Sequence, residues 1–358
     1  MTHSPKPALT RRRLLQASGL AAIGAGLAPL MSGQAARAAA APSQITVAII
    51  GDGSNGVFAS LRSGIAGIDA NGVLGTKVIW QPGFTASLPV MEAIRAGGVD
   101  FTFATATAIV NAVGAGVRIV PLAAYPLPAN EVDFLVQAKS DIKTAADLKG
   151  KTIAHQNGTT GTYSLIKYLE TAGLRLSDVK AVSLSGADAY AAFAQGSIDG
   201  WIHWQPAAGL AGAKLGDKAR LLPAVKTYDY AFYVAREDAI AQAPETYAKL
   251  VRLIRDTQLW IAAHPQDATR NWASLGAFDA NGIEAPIYEK LIIDARLSDS
   301  GAVKLKPIDE AAAVSTQDLA DNFYALGVLP KQIDAKSFLL SPKFDAYKAA
   351  VAKELGAA

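Results

Sequence analysis

The sequence predicts an α/β protein with two lobes, each built on a largely parallel sheet. Apolar runs of strand type alternate with segments whose apolar residues recur at helical spacing. A glycine loop follows a strand and opens a helix twice, as Gly53-Ser54-Asn55-Gly56 and as Gly158-Thr159-Thr160-Gly161. The pattern Ala-x-x-x-Gly-[Gly/Ser]-[Val/Ile]-Asp also occurs twice, ending at Asp100 and at Asp199. Two lobes with the same order of elements would explain both repeats, and chance in an Ala- and Gly-rich chain is the alternative.

The first 38 residues are predicted to be an export signal. Thr10-Arg11-Arg12-Arg13-Leu14-Leu15-Gln16 resembles a twin-arginine signal, and a moderately apolar stretch runs on to Met31. Ala36-Arg37-Ala38 then gives a small-residue cleavage pattern. A membrane anchor is the alternative, but the low Leu and Ile content of the stretch disfavours it. We therefore expect a mature protein in a bacterial periplasm.

Composition excludes several classes of function. The chain has 51% apolar and 18% charged residues, which is typical of a globular fold. Five basic and no acidic residues precede residue 39, which leaves 29 of the 34 basic residues against 31 acidic ones, a formal charge of −2. A net charge of −2 lacks the excess of basic residues that is typical of nucleic-acid-binding proteins. The chain has no cysteine, which excludes disulfides, thiolate catalysis and a lipid-modified cysteine.

The first lobe is predicted from residues 42–125 together with 227–358. Strands are expected at 45–50, 77–80, 101–103 and 117–120, and helices at 54–66, 87–94 and 107–114. The strand at 228–235 is expected to bring the chain back to this lobe. A long helix then begins at Pro244 and ends at His264-Pro265. Further helices are expected at 317–326 and 343–355.

The second lobe is predicted from residues 126–226, after Tyr125-Pro126-Leu127-Pro128 breaks the first pattern. A strand at 133–137 leads to a short helix capped by Thr144. The second glycine loop opens a helix that ends before Gly173. Ser185-x-x-Asp188 caps the next helix, and a strand covers 198–204. Two connections between the lobes, near 125 and 227, predict a hinge and a ligand cleft.

The two glycine loops predict an anion site. Glycine allows positive φ and close approach of the backbone to a ligand, while Ser, Asn and Thr are good helix N-caps. A strand–loop–helix junction of this kind directs free backbone N–H groups and the positive end of a helix dipole at whatever lies above it. We therefore expect the two loops to face each other and to hold one anionic group between them.

Several segments are similar to one known family. The segment from Ile142 to Lys151, the loop Gly158-Thr159-Thr160, the segment from Ala192 to Pro206 and the segment from Ala320 to Pro330 resemble periplasmic substrate-binding proteins of the nitrate, sulfonate and taurine ABC-import family. The resemblance covers essentially the whole mature chain. It implies the type II periplasmic-binding-protein fold, with two crossover segments and an interlobe cleft.

The resemblance also implies a role. Such a receptor closes its lobes around a small oxyanion and delivers it to an ABC permease and its ATPase subunits, as a monomer without a cofactor. Gly158, Thr159 and Thr160 match the loop that contributes donors to the anion in this family. Neither an enzyme activity nor direct membrane contact is implied.

Two departures from the family pattern bear on the ligand. Family members often have Gly-Asp where this chain has Thr105-Ala106, and Trp-Asp-Pro where it has Trp204-Gln205-Pro206. A taurine-like ligand needs a carboxylate for its ammonium group, because an unpaired buried charge is costly. The missing acids therefore argue for an unsubstituted or aromatic sulfonate, with Thr105 and Gln205 as hydrogen-bonding groups.

The predicted ligand-binding residues come from both lobes and from the aromatic positions beside them. They are Ser54, Asn55, Thr105, Gly158, Thr159, Thr160, His203, Trp204, Gln205 and Tyr228. Tyr230 is a further candidate for the apolar wall. For the isolated His155 and His203, a buried hydrogen-bonding role is the alternative to ligand contact.

Two enzyme alternatives stay open from the sequence. Gly51-x-Gly53-x-x-Gly56 after a strand matches a dinucleotide-binding pattern, which would make the protein an exported nicotinamide oxidoreductase. Such a site needs an acidic residue at the end of the second strand, whereas this chain has Gln81-Pro82 there. An enzyme on the binding-protein fold is the other alternative, and the lack of cysteine removes its commonest nucleophile.

Overall fold

A computed structural model describes residues 41–290 and 304–356. The predicted signal peptide and its cleavage pattern lie outside the described residues. Within those residues, none of the helices combines the length and the apolar character needed to span a bilayer.

The described residues form eleven strands in chain order. They are β1 (Gln44–Ile50), β2 (Lys77–Phe84), β3 (Phe101–Thr105), β4 (Ile119–Pro126), β5 (Val132–Gln137), β6 (Thr152–His155), β7 (Lys180–Ser183), β8 (Gly200–Trp204), β9 (Ala219–Leu221), β10 (Tyr230–Arg236) and β11 (Lys306–Pro307).

The α-helices surround these strands. They are α1 (Gly56–Ser63), α2 (Ala70–Leu74), α3 (Ser87–Arg95), α4 (Ala106–Gly114), α5 (Thr160–Glu170), α6 (Gly186–Ala194), α7 (Ala207–Leu215), α8 (Glu237–Gln242), α9 (Pro244–Ala263), α10 (Pro265–Ser274), α11 (Glu284–Ile287), α12 (Glu310–Ala325), α13 (Ala335–Leu339) and α14 (Asp345–Leu355). Short 3-10 helices cover Ala145–Leu148, Leu176–Asp178, Gly216–Lys218 and Pro342–Phe344.

The strands form two sheets with the same internal order. The first sheet runs β2-β1-β3-β10-β4-β11 and the second runs β7-β6-β8-β5-β9. In the first sheet β2, β1 and β3 are parallel, and in the second sheet β7, β6 and β8 are parallel. The next strand in each sheet, β10 or β5, pairs antiparallel with both of its neighbours. The α/β prediction is confirmed, and the lobe boundaries stay predictions.

The repeated Asp pattern has the same structural role in both sheets. Asp100 accepts a hydrogen bond from Thr46 N through Oδ2 at 2.8 Å and donates its own N–H to Thr46 O at 2.9 Å. Asp199 makes the same two bonds with Thr152, at 2.8 and 2.9 Å. Each carboxylate therefore ties the start of the third parallel strand to the start of the first.

One hydrophobic core extends from the first sheet to helix α5, which follows strand β6 of the second sheet. Tyr163 and Ile166 of α5 are buried in the cluster that contains α4 and α12. The Tyr163 ring packs edge-on against Phe323 at 5.6 Å between centroids. Tyr163 also donates its hydroxyl to Asp318 Oδ2 of α12 at 2.9 Å. Helix α5 is therefore docked on both halves of the molecule.

Two differences from the predicted elements have a physical reason. Strand β4 continues through Pro126 where the sequence predicted an end near residue 120, because it lies between β10 and β11 and is buried over most of its length. Helix α7 was missed, because its Ala- and Gly-rich sequence AAGLAGAKL has little amphipathic pattern.

We expect Gly200→Ala to destabilise the fold by about 1–3 kcal/mol through overpacking. A Cβ at Gly200 would lie 2.8 Å from Phe134 Cε2 and 3.1 Å from Ile153 Cδ1, and both side chains are fully buried. Gly98→Ala is the matched control, because its Cβ would meet nothing closer than Ala93 O at 3.7 Å. Urea unfolding of the two variants measures the difference. Equal stabilities would contradict the packing argument.

Candidate ligand-binding site

A cavity of about 260 Å³ lies between the two sheets. Its walls come from both sheets and from the segments that connect them. They consist of Ile49, Ile50, Asn55, Val57, Phe58, Ala86, Ser87, Leu88, Phe103, Thr105, Thr107, Ala108, Tyr125, Leu127, Glu131, Gly158, Thr159, Thr160, Trp204, Gln205, Pro206, Tyr233 and Gln258.

Five helices begin at this cavity. The residues immediately before α1, α3, α4, α5 and α7 are Asn55, Ala86, Thr105, Thr159 and Pro206, and all five line it. Each of these helices follows the carboxyl end of a strand that takes part in parallel pairing, so the two sheets present the same kind of edge to the cleft. The first-turn N–H groups of a helix have no intrahelical partner and carry a partial positive charge. The cavity therefore favours an anion.

The described lining contains neither Lys nor Arg. Attraction for an anion comes there from backbone N–H groups, helix dipoles and neutral side chains. Gly158 takes φ +69°, which lets its loop turn tightly, and a Cβ there would lie 3.2 Å from Leu88 Cδ1 of α3. The second glycine loop thus lies directly against a helix of the first sheet.

The hydroxyl groups of the two loops already donate to protein acceptors. Ser54 Oγ donates to Asp52 Oδ1 at 2.5 Å, and Thr159 Oγ1 donates to Gln156 O at 2.6 Å. Thr160 Oγ1 donates to Asp229 Oδ2 at 2.7 Å. These hydroxyls shape the loops, and the donors left for an anion at Thr159 and Thr160 are backbone N–H groups.

Thr105 and Thr107 form a second kind of donor. Their Oγ1 atoms lie 2.7 Å apart at the start of α4, and either one can donate to the other. One hydroxyl hydrogen of this pair therefore remains available for a ligand acceptor. Both residues line the cavity.

Asp229 joins helices α4 and α5. Its carboxylate accepts from Ala106 N, the first N–H of α4, at 3.0 Å and from Tyr230 N at 2.8 Å. The bond from the Thr160 hydroxyl ties the first residue of α5 to the same side chain. Asp229 is only 3% exposed, and this burial raises its pKa to about 6, although the three hydrogen bonds act to lower it.

An aromatic group forms the apolar part of the walls. The buried Tyr233 ring lies at the centre, with Phe58 and Phe103 edge-on to it at 6.3 and 6.0 Å. On the opposite sheet, His203 packs on Trp204 with ring centroids 3.8 Å apart and on Trp201 at 5.3 Å. His203 is buried, which lowers its pKa to about 4, so it supports Trp204 as a neutral ring.

Gln205 is held at both ends of its amide. Nε2 donates to Asp133 Oδ2, and Oε1 accepts from Gly209 N at 3.2 Å. Burial raises the pKa of Asp133, while the bond from Gln205 acts to lower it. Gln205 therefore anchors the start of α7 and keeps one N–H for the cavity.

The structure brings most of the predicted site residues to one place. Asn55, Thr105, Gly158, Thr159, Thr160, Trp204 and Gln205 line the cavity. Ser54 and His203 lie beneath the lining, where they support the loop and Trp204. Tyr228 is outside the lining and is 47% exposed. It lies two residues before β10, so the alternation of buried and exposed side chains in that strand does not include it.

His155 has a structural place beside the second loop. Its Nδ1 lies 2.9 Å from Thr162 Oγ1, whose own hydrogen goes to Gln156 O at 2.7 Å. The ring must therefore donate through Nδ1–H. Burial lowers the pKa of His155 to about 4, so the ring is neutral at pH 7. In the described part of the chain, no group of three or more His, Cys, Asp or Glu side chains is placed to hold a metal ion.

Sequence reasoning missed five polar residues at or beside the cavity, and two of them, Ser87 and Thr107, are neutral hydroxyl residues of the lining. Glu131 and Gln258 line it, and Asp229 supports α4 and α5 from behind. An acid inside the aromatic run Tyr228-Asp229-Tyr230 was a signal that could have identified Asp229. Neither Glu131 nor Gln258 stands in a local pattern that distinguishes it from a surface residue.

Comparison with known proteins gives a consistent set of relatives. The NMT1/THI5-like family model matches residues 78–268. A protein of Escherichia coli K12 named an aliphatic sulfonates-binding protein is 27% identical over 278 residues, which are 75% of this chain and 80% of that protein.

Two solved structures share the fold. The alkanesulfonate-binding protein SsuA from Xanthomonas axonopodis pv. citri, bound to MOPS, has a TM-score of 0.71 and 23% identity, over 83% of this chain and 98% of that one. The periplasmic aliphatic sulphonate binding protein SsuA from Escherichia coli has a TM-score of 0.68 and 24% identity, over 83% and 97%. The predicted two-lobe binding-protein fold is thereby confirmed.

We expect Asp229→Asn to change how stability depends on pH. The pKa of Asp229 is near 3.8 when unfolded and about 6 when folded, so the stability that its protonated form contributes is complete below pH 4 and is lost as the pH rises through 6. This loss is about 3 kcal/mol from the size of the pKa shift. Asn keeps an acceptor for the two backbone N–H groups and does not titrate. The stability of the variant relative to the wild type should therefore increase between pH 4 and pH 7.

Urea unfolding of both proteins at several pH values measures this difference. The lowered pKa values of His155 and His203 act in the opposite direction, because their neutral forms stabilise the fold above pH 6.5 and lose that effect as the pH falls toward 4. They are present in both proteins and cancel in the comparison. A difference that stays constant from pH 4 to pH 7 would rule out titration of Asp229 in this range.

Proposed function

The chain belongs to the NMT1/THI5-like family, and we propose that it is the solute-binding protein of an ABC importer for a small sulfonate or related oxyanionic organic compound. The observation that carries the proposal is the convergence of five helix starts from both sheets on one partly apolar cavity. An oxyanion fits the N–H groups, and an organic tail fits the aromatic walls. The names of the relatives support a sulfonate as the anionic group.

In this proposal the ligand is held between the lobes. The backbone N–H groups at Asn55, Ser87, Thr159 and Thr160 surround the anionic head, and the Thr105–Thr107 pair adds a hydroxyl. Trp204, Gln205 and Tyr233 contact the remainder. Closure of the lobes over the ligand would create the surface that a permease and its ATPase subunits recognise.

We also propose export to the periplasm as a folded monomer. The support is the arginine-rich segment Thr10–Gln16 with its apolar stretch and Ala-x-Ala pattern. A solved structure with the same fold is also named a periplasmic binding protein. Lobe 1, from residues 42–125 and 227–358, and lobe 2, from 126–226, would then move about the two crossovers.

The enzyme alternatives are not favoured. The three relatives described above are named as binding proteins. Strand β2 runs on through Gln81-Pro82-Gly83 to Phe84 without the acidic residue that a nicotinamide ribose requires. Incubation with a sulfonate without any turnover, and no absorbance near 340 nm from a bound cofactor, would agree with a receptor.

We expect Ser87→Pro to weaken binding of propane-1-sulfonate at least tenfold, because a lost hydrogen bond to a charged group costs about 1.5–3 kcal/mol. Ser87 is the first residue of α3, and Ala86 before it is extended, so proline fits there and removes one N–H. Ser87→Ala is the matched control, since it keeps the N–H. Thr159→Val should also stay within about threefold, because the Thr159 hydroxyl bonds Gln156 and not the ligand.

Titration calorimetry gives these affinities. Equal affinities for the proline and alanine variants at position 87 would remove α3 from the anion site. If the wild-type protein binds none of a panel of sulfonates, sulfate esters, nitrate and aromatic carboxylates in a thermal-shift screen, the proposed function itself is wrong.

A further inference from the structure

A buried carboxylate lies behind the proposed anion site and bonds a helix start from each sheet. Asp229 Oδ1 accepts from Ala106 N, at the start of α4, at 3.0 Å and from Tyr230 N at 2.8 Å. Its Oδ2 accepts from the hydroxyl of Thr160, at the start of α5, at 2.7 Å. Thr160 lines the cavity, and so does Thr105, which precedes Ala106. An anion held at these two helix starts would therefore be a close neighbour of the carboxylate.

The three donors that hold the Asp229 carboxylate are neutral groups. Burial raises the pKa of Asp229 to about 6, and the three hydrogen bonds act to lower it. Helix α4 has no titratable side chain, and the crossover approaches through Leu127 N, which donates to Asp229 O at 3.0 Å. Titratable side chains on the other elements packed against it include Tyr125 of β4, Glu131 of the crossover, Tyr163 and the Lys167–Glu170 ion pair of α5, and Tyr230 of β10.

The charge of Asp229 reaches the first turns of α5. The pKa of Tyr163 in that helix is raised by burial first, then by Asp318, which accepts its hydroxyl, and then by the charge of Asp229. The effect is reciprocal, because the energy between two charges belongs to both of them. A negative charge that binds at the start of α5 must therefore raise the pKa of Asp229.

The two carboxylate oxygens differ in their ability to take a proton. Oδ1 receives two backbone N–H groups, which can only donate, so it has to remain an acceptor. Oδ2 faces a hydroxyl group, which can donate or accept. A proton on Oδ2 can therefore donate to Thr160 Oγ1 across the same distance. The hydroxyl hydrogen of Thr160 then no longer goes to Asp229 and is available to an oxyanion in the cavity.

On the basis of the proposed function, we propose that the protein binds its anionic solute together with one proton from the solvent, and that Asp229 holds this proton at Oδ2. The anion disfavours a second negative charge beside it, so its arrival favours protonation of the carboxylate. The proton removes that charge and lets the Thr160 hydroxyl donate to the anion. Because the two events are linked, each favours the other by the same factor.

Titration calorimetry in buffers with different ionisation enthalpies counts the protons taken up. Propane-1-sulfonate is the probe, because its sulfonate stays ionised throughout, and a sulfate ester or nitrate replaces it if it does not bind. If the anion raises the pKa of Asp229 by about 1–2, about 0.4–0.8 of a proton should be taken up per anion at pH 7. The affinity should then fall about five- to fiftyfold from pH 5.5 to pH 8.5.

Three variants assign the proton to a side chain. Asp229→Asn should bind without proton uptake and with an affinity that does not fall with pH, because its Nδ2 donates to Thr160 as a protonated Oδ2 does. Asp318→Asn is the matched control, since it replaces another carboxylate that accepts a hydroxyl of α5, and it should keep the uptake. Uptake that persists in Asp229→Asn but vanishes in Glu131→Gln would place the proton on Glu131 of the lining and overturn the proposal.

Failure of this proposal differs from failure of the receptor function. Anion binding by the wild type without proton uptake would overturn the coupling and leave the receptor in place. Absence of binding for the probe and for the whole screening panel, in a protein that unfolds cooperatively, would overturn the receptor function. Infrared difference spectra of the wild type decide the matter even if Asp229→Asn does not fold. Binding at pH 7 should produce the band of a protonated carboxyl group, and its absence would contradict the proposal.

Discussion

The site depends on one buried carboxylate that fixes two helix starts relative to each other. Asp229 accepts the first N–H of α4 and the hydroxyl of the first residue of α5, so elements of both sheets share one anchor. A further hydrogen bond, from the Tyr163 hydroxyl to Asp318 of α12, lies one turn beyond Thr160 in α5. Together they keep α5 docked on the first half of the molecule, although its strand belongs to the second sheet.

The two sheets have the same topology, which explains why the N–H groups of five helix starts meet at one cavity. In both sheets the strands in parallel pairing carry helices at their carboxyl ends, and the sheets turn those ends toward each other. The Asp100–Thr46 and Asp199–Thr152 pairs keep the corresponding strands aligned in each sheet. Backbone groups held in this way need no rearrangement when an anion arrives. Neutral side chains then suffice beside them in the proposed anion site.

Local chemistry made much of the fold predictable from the sequence. The glycine loops and the Asp repeat were recognisable because turn residues, caps and strand periods are properties of short segments, and most strands lie where their apolar runs predicted. The roles of hydroxyl groups were not predictable. Thr160 donates to Asp229, which is 69 residues away in the chain. Glu131 and Gln258 meet the cavity only through tertiary packing. Tyr228 lies outside the cavity lining, because β10 begins two residues later.

An anion site made of backbone N–H groups differs from one made of lysine or arginine side chains in its conformational freedom and in its response to salt. Long cationic side chains lose conformational freedom when they close on an anion, whereas the first turns of α1, α3, α4 and α5 are already ordered. Their interaction with the ligand is short-ranged and shielded from mobile ions by the surrounding walls. In the proposed receptor, capture of the solute should consequently vary little with ionic strength.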